Sequence, residues 1–172
     1  SHKDLETTSP KGLVIAAIPR RESPSDVLLI AKESYVASMH FGVKEKGIVG
    51  TSSARRKNQI TAFRPDVLLK DLRGNVPTRI NKLRSGEYDA IMLAKAGINR
   101  LEIDLSEFET IELDPTEFIP APAQGALALQ IRDEEFELKG ILEQLTDSET
   151  LAVTQIERKV LNLFDGGCQL PL

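Results

Sequence analysis

Five arginines are the residues of this chain best suited to bind an anion. They lie in three segments, "GTSSARR", "LRGNVPTR" and "LAKAGINR", and each segment follows an apolar run typical of a buried strand. The five are Arg55, Arg56, Arg73, Arg79 and Arg100. Strand ends in open α/β sheets share one edge, where helix N-termini and guanidinium groups bind anions. The pattern predicts a site for a ligand with several negative charges, although arginines are also common on solvated surfaces.

Two further places carry reactive groups. Lys3 and Asp4 are adjacent in "SHKDLETT", where an acid next to a base suits proton transfer, but an exposed pair in a turn fits the spacing equally well. Cys168 is the single cysteine and follows two glycines in "FDGGCQLPL". A lone cysteine is commonly a small buried residue. Flanking glycines instead favour a loop on which a thiolate acts as a nucleophile or a covalent tether.

The composition argues against several other functions. One cysteine and two histidines argue against a zinc site, and neither His2 nor His40 has the context of a base for a cysteine hydrolase. The G-x-x-x-x-G-K-[ST] pattern of a nucleotide P-loop is absent from the sequence. No apolar run approaches the roughly 20 residues that span a bilayer. The expectation is therefore no metal, no membrane and no internal disulfide.

Charge is distributed unevenly along the chain. The net charge is −4, yet residues 50–79 carry seven basic against two acidic side chains, whereas residues 101–150 carry two basic against fourteen acidic ones. A local basic patch on an acidic protein favours a specific anionic ligand. Nucleic acid is a weaker interpretation because Phe63 is the only aromatic residue in the patch.

Apolar runs alternate with helical patterns along most of the chain, which predicts an α/β fold with an open, mostly parallel sheet. Predicted strands lie at 12–18, 26–30, 47–50, 66–72, 88–94, 108–113 and 125–132. Predicted helices follow Thr51 or Ser52 as a cap, run from 76 to 86, and run from 147 to 164. The Pro-rich segments 18–24 and 119–125 are interpreted as two crossings between substructures.

Taken together, the motifs resemble the porphobilinogen deaminase (hydroxymethylbilane synthase) family. The resemblance rests on "KDL", "GTSSARR", "RPDVLLKDLRGNVPTRINKLRSGEYDAIMLAKAGINRL", "PAPAQGALALQIR" and "ERKVLNLFDGGCQLP", in that order and spacing. It implies open sheets like those of periplasmic binding proteins, with helices on both faces and a double crossover. It also implies that 1–24 and 118–147 belong to a first domain, 25–117 to a second, and 148–172 to the start of a mostly absent third.

The resemblance further implies a transferase that joins four porphobilinogen molecules into a linear tetrapyrrole and releases ammonia. Asp4 would be the catalytic carboxylate, and Cys168 would hold a dipyrromethane cofactor through a thioether. Two groups of residues would line the cleft. The positions that would bind the cofactor are Lys3, Ser53, Arg55, Arg56, Gly74 and Arg79, and those that would bind substrate are Thr51, Arg73, Ala94, Arg100 and Gln124.

The expected partner is a small polycarboxylate pyrrole. The protein is expected to act in heme and tetrapyrrole biosynthesis and to be cytoplasmic and monomeric. A piece of such an enzyme need not be active by itself. The alternative is a non-catalytic carboxylate-binding module of the periplasmic-binding type. Pairing of Asp4 with a glycine-flanked Cys168 distinguishes the two, because a binding module needs neither residue.

Overall fold

The computed structural model describes residues 1–164 and divides them into two compact units. The first unit combines residues 1–24 with 121–164, and the second is Ser25–Pro120. The chain passes between the units at 24–25 and at 120–121, within the two Pro-rich segments. The predicted double crossover is therefore confirmed, while the assignment of three domains stays a prediction.

The second unit is built on a five-stranded sheet. Its strands are β2 (Asp26–Ala31), β3 (Ile48–Gly50), β4 (Leu68–Lys70), β5 (Ala90–Ala94) and β6 (Phe108–Glu112). Their order is β4-β3-β5-β2-β6, with β3 parallel to β4 and β5, and with β2 antiparallel to β5 and β6. Four strands thus run in one direction and β2 runs in the other.

Helices cover both faces of this sheet, as expected. They are α1 (Ala54–Phe63), α2 (Val76–Arg84) and α3 (Lys95–Leu101). Alternate residues of β2 point to opposite faces. Leu29 packs in a core layer with Ile80 of α2 and Ile98 of α3, whereas Leu28 packs in a layer with Ile60 of α1. The central strands are therefore buried on both sides, which explains their continuous apolar sequence.

The local sequence sets the helix starts. Ser53 is the N-cap of α1 and accepts a hydrogen bond from the Arg56 backbone N–H, so the predicted cap at Thr51 or Ser52 was one or two residues too early. Asn75 caps α2 in the same way, with Pro77 in the first turn. Asp147 caps the last helix through the Thr150 N–H.

The first unit contains an antiparallel pair, β1 (Leu13–Ala17) with β7 (Leu129–Arg132), and two helices, α4 (Phe136–Glu143) and α5 (Ser148–Leu163). Helix α4 was not predicted. Helix α5 is unusual because its buried face contains Thr150, Thr154 and Arg158 as well as Leu161. A stripe of exposed apolar side chains runs along α5, namely Val153, Ile156, Val160 and Leu163.

The predicted, mostly parallel sheet holds for four of the five strands. Strand β2 runs antiparallel because the chain enters the second unit at the edge where the parallel strands end, so β2 must run away from that edge. One strand prediction needs correction. The predicted strand at 125–132 begins only at Leu129 and pairs antiparallel with β1. Within residues 1–164, no helix combines the length and apolar character needed to cross a membrane.

Candidate functional site

Asp26 lies at the centre of the charged edge of the second unit. It is the first residue of β2, and its Cα pairs with that of Ala94 at the end of β5. Because β2 is antiparallel to β5, its first residue lies at the edge where β3, β4 and β5 end. The Asp26 side chain is fully buried, with 0% of its surface exposed. A buried carboxylate requires ionic or hydrogen-bonding partners.

The partners of Asp26 are the two consecutive arginines of α1. Arg55 Nη2 donates to Asp26 Oδ2 at 2.6 Å, while Arg56 Nη2 and Nε donate to Asp26 Oδ1 at 2.7 and 3.1 Å. Backbone carbonyls of Ile119 and Met92 accept the Nη1 hydrogens of Arg55 and Arg56. Both arginines are buried, with 4% and 6% of their surfaces exposed. We call Asp26, Arg55 and Arg56 the buried ion cluster.

The electrostatics of the buried ion cluster favour its charged form. Burial opposes ionisation of Asp26, but the guanidiniums of Arg56 and Arg55 outweigh this effect, so the pKa of the Asp26 carboxyl is lowered. Burial lowers the pKa of Arg55, and the Asp26 carboxylate opposes that shift. With two guanidiniums for one carboxylate, the cluster keeps an excess positive charge. The Arg55 Nε–H is buried and has no hydrogen-bond partner among residues 1–164.

Arg79 adds a further positive charge at this edge. It is half-buried on α2, and its Nε donates to the Gly74 carbonyl at 2.7 Å. Burial and then the like charge of Arg56 lower the pKa of Arg79. Gly74 has a φ of 120°, a conformation that favours glycine, and its carbonyl oxygen accepts the hydrogen bond from Arg79. Positive charge that remains after internal pairing can attract a carboxylate ligand.

The other predicted residues of the second unit differ in their burial. Thr51 is buried after β3, and its Oγ1 accepts from the Ser53 N–H at 3.3 Å. Ala94 is half-buried at the end of β5. Arg73 and Arg100 are both exposed, on the β4–α2 loop and in the last turn of α3.

The first unit brings together Lys3, Asp4 and Gln124. Lys3 Nζ donates to Gln124 Oε1 at 3.0 Å, and Gln124 Nε2 donates to the Pro24 carbonyl at 2.7 Å. Gln124 is fully buried. Asp4 ends a 3₁₀ turn at His2–Asp4 and is exposed. An exposed carboxylate beside an anchored lysine leaves the acid accessible for chemistry while its neighbour is held in place.

A second pairing in the first unit holds the Gln124 segment. Arg21 donates to both oxygens of Glu157 on α5, at 2.7 and 3.1 Å, and its Nε donates to the Gln124 carbonyl at 2.7 Å. Glu157 Oε2 also accepts from the Ala123 N–H at 2.6 Å. These contacts fix the backbone turn that presents Gln124.

His2 is one of the buried polar residues of the first unit. Its side chain is 2% exposed, and its Nδ1 has no hydrogen-bond partner in the described part of the chain. Burial, followed by the positive charge of Arg158, lowers the pKa of His2 to about 4. His2 is therefore neutral in the folded protein at pH 7.

We expect His2 to make the protein less stable in mild acid. Between about pH 6.5 and about pH 4, the unfolded chain binds a proton at His2 that the folded chain does not. The free energy of unfolding therefore decreases as the pH is lowered through this window. Urea unfolding at about pH 7 and about pH 5 should show a smaller loss for His2→Gln than for the wild type. An equal loss in both proteins would contradict the burial of a neutral imidazole.

Cys168 lies outside the described residues, so its surroundings form no part of this site. Among the residues that are described, no group of three or more His, Asp or Glu side chains is arranged to hold a metal ion.

Sequence reasoning missed Asp26, Glu157 and Arg158. For Asp26, the available signal was an acidic residue directly before an apolar strand and thirty positions from an Arg-Arg pair.

The fold and the charged edge define a class: an α/β protein whose strand ends form a cationic site suited to carboxylates. Residues 1–140 match the family described as "Porphobilinogen deaminase, dipyromethane cofactor binding domain". The porphobilinogen deaminases of Bacillus velezensis and Thermus thermophilus are 43% and 44% identical to this chain over its whole length. The alignments cover 53% and 55% of the length of these two relatives. The chain belongs to the porphobilinogen deaminase family and spans about half the length of these curated relatives.

Solved structures of a periplasmic binding protein and of an ABC transporter substrate-binding protein also align with the chain. A glutathione-bound protein from Brucella ovis aligns with 77% of this chain and 40% of its own at 12% identity, with a TM-score of 0.48. An arginine-bound protein from Streptococcus pneumoniae aligns with 91% of this chain and 64% of its own at 14% identity, with a TM-score of 0.47.

Proposed function

We propose that the full-length protein containing this chain condenses porphobilinogen into the linear tetrapyrrole hydroxymethylbilane and releases ammonia. Membership of the porphobilinogen deaminase family supports this proposal. The observation that carries it within the structure is the edge formed by Asp26, Arg55, Arg56 and Arg79, with three guanidiniums and one carboxylate. Each porphobilinogen carries two carboxylates, so a growing chain requires such an excess of positive charge.

The donor set of this edge fits the carboxylates of a dipyrromethane cofactor. Arg55 offers a buried Nε–H that lacks an acceptor among residues 1–164, and Arg79 is half-buried beside Arg56. In this proposal Arg55, Arg56, Arg79, Lys3, Ser53 and Gly74 hold the cofactor, and Cys168 bonds to it. When bound, the cofactor supplies the pyrrole carbon to which the first substrate is joined.

Asp26 contributes by compensating the buried positive charge of Arg55 and Arg56 and by fixing their orientation. Its oxygens and the carbonyls of Ile119 and Met92 hold both guanidiniums in one orientation, which leaves the Arg55 Nε–H as a fixed donor. A preorganised donor costs less to align with a ligand than a mobile one. Each guanidinium donates to Asp26 and also to a backbone carbonyl, an arrangement that the single ammonium of a lysine would not reproduce.

Asp4 is proposed as the catalytic carboxylate. Loss of the substrate's amino group leaves positive charge on the pyrrole nitrogen, and a nearby carboxylate stabilises that charge by accepting a hydrogen bond from the pyrrole N–H. Asp4 suits this role because it is exposed on a short turn whose neighbour Lys3 is anchored to Gln124. Arg73, Arg100, Thr51, Ala94 and Gln124 are proposed to contact the substrate.

The expected monomeric state and cytoplasmic location belong to this proposal, as does the absence of nucleic-acid and membrane partners. They are part of what the resemblance to the porphobilinogen deaminase family implies.

The test is intact-mass spectrometry of the full-length protein after growth with porphobilinogen, combined with Ehrlich staining. We expect the added mass of a dipyrromethane on the wild type and none on Cys168→Ser. An unmodified thiol in fully folded wild-type protein would contradict the proposal. If that unmodified protein still bound porphobilinogen, the non-catalytic carboxylate-binding module would be the better description.

A further inference from the structure

Arg158 connects helix α5 to the segment that carries Lys3 and Asp4. Its side chain is buried, with 8% of its surface exposed. Nη1 donates to the carbonyl oxygens of His2 at 2.9 Å and Leu5 at 3.2 Å, and Nη2 donates to the carbonyl oxygen of Glu6. One guanidinium thus binds three carbonyl groups on both sides of Asp4.

This arrangement constrains the backbone more strongly than a single contact would. The carbonyls of residues 2, 5 and 6 all have to point toward one planar group, which fixes the path of the chain between them. The turn also makes its own hydrogen bonds, from Asp4 N–H to the Ser1 carbonyl and from Leu5 N–H to the His2 carbonyl. A lysine has no planar fork and cannot reproduce the arrangement.

The preceding residue of α5 holds the other segment of the same unit. Glu157 binds Arg21 and the Ala123 N–H, next to Gln124. Lys3 and Gln124 then join the two segments through their own hydrogen bond. Adjacent residues of α5 therefore anchor both of the short segments in the first unit to which site residues are assigned.

We propose that Arg158 is a positioning residue that fixes the backbone on which Lys3 and Asp4 stand, so that helix α5 determines where the carboxylate of Asp4 is presented. The relevance to catalysis rests on the proposed function, since that proposal gives Asp4 its role. The positioning itself is a property of the folded chain and is tested without substrate.

Hydrogen exchange followed by NMR tests this proposal in the 172-residue chain. In Arg158→Met, which keeps an apolar stem but has no donors, we expect the Asp4 and Leu5 amides to exchange about tenfold faster or more. Amides inside α5, such as that of Leu161, should exchange at the wild-type rate. Lys159→Met, at the exposed neighbouring position, serves as the matched control and should leave all of these rates unchanged.

Arg158→Lys covers the case in which Arg158→Met does not fold. It keeps the charge but loses the fork, so the Asp4 and Leu5 amides should exchange faster than in the wild type while α5 stays protected. Unchanged exchange at Asp4 and Leu5 in the folded variants would overturn the proposal. Acceleration that is equal in α5 and in the turn would also overturn it, because it would indicate general destabilisation.

The titration of His2 gives a second readout that a general loss of stability would not produce. Burial and then Arg158 lower the pKa of His2 to about 4, with the N-terminal amine and Arg21 acting in the same direction and Glu157 acting against it. In folded Arg158→Met, the NMR titration midpoint of His2 should move up toward its ordinary value, whereas Lys159→Met should leave it in place. An unmoved midpoint in Arg158→Met would contradict the contact. If the proposed function failed but both readouts held, Arg158 would still position this segment.

Discussion

Asp26→Asn is expected to lower the free energy of unfolding by about 3–5 kcal/mol, the range measured when one partner of a buried ion pair is removed. The substitution keeps the shape of the side chain but removes the charge that Arg55 and Arg56 share. Both guanidiniums are nearly inaccessible to water, so solvent cannot replace the lost carboxylate. Urea unfolding monitored by circular dichroism at pH 7 measures the change.

The matched control is Asp71→Asn, because Asp71 pairs with Lys57 on the exposed surface and should contribute little to the free energy of unfolding.

The pH dependence of the free energy of unfolding provides a second comparison between wild type and Asp26→Asn. The pKa of Asp26 is lowered in the folded protein, so its stabilisation is present above the ordinary aspartate pKa and is lost as the pH falls through the lowered value. Asp26→Asn should lack this part of the acid dependence. A loss of about 1 kcal/mol or less at pH 7 would contradict the burial of a charged Asp26 between the two arginines.

Gly125→Ala is expected to destabilise the first unit by about 2–4 kcal/mol, which combines left-handed backbone strain with a steric clash. Gly125 has a φ of 86°, a conformation that side chains disfavour. A Cβ at this position would also lie 2.6 Å from the Ser23 carbonyl oxygen and would press on the Glu22 carbonyl. Backbone atoms cannot move aside as a flexible side chain can. Thermal unfolding of the variant tests the expectation.

Gly12→Ala separates strain from clash in the same unit. Gly12 has nearly the same φ, 84°, but nothing lies within 4 Å of the position of its Cβ. Only the conformational cost of about 1–2 kcal/mol should remain. If both variants lost equal stability, the close approach of Gly125 to the 22–23 backbone would be wrong.

The strands of the second unit were predictable because their apolar runs are continuous and end at polar turns. Residues 26–31 and 90–94 form strands close to the predicted bounds. Helix α4 was not recognised: it follows an acidic stretch, its N-cap Glu135 makes no capping hydrogen bond, and it contains Gly140, a residue with low helix propensity. The antiparallel direction of β2 depends on where the chain crosses between units, which apolar periodicity does not encode.

The arginines of the candidate site were predictable as residues at strand ends, but their pairing was not. Asp26 stands directly before an apolar run, and a polar residue in that position is common at the start of a strand. Its burial depends on contact with arginines about thirty positions away, and that contact exists only because β2 is antiparallel. The polar inner face of α5 was hidden for a similar reason, because Arg158 is satisfied by backbone carbonyls more than 150 positions earlier.

The central claim is that the charged edge of the second unit binds the carboxylates of a pyrrole. Isothermal titration of porphobilinogen into the chain, as a soluble probe for the pyrrole carboxylates that the cofactor site would hold, tests it most directly, with Arg79→Gln compared against Arg84→Gln. Both arginines lie on α2, but Arg79 is half-buried beside Arg56, whereas Arg84 is exposed and pairs with Glu107. We predict that Arg79→Gln weakens binding by about tenfold or more, as expected for one charge-assisted hydrogen bond, and that Arg84→Gln does not. Equal affinities in the wild type and both variants would contradict the claim.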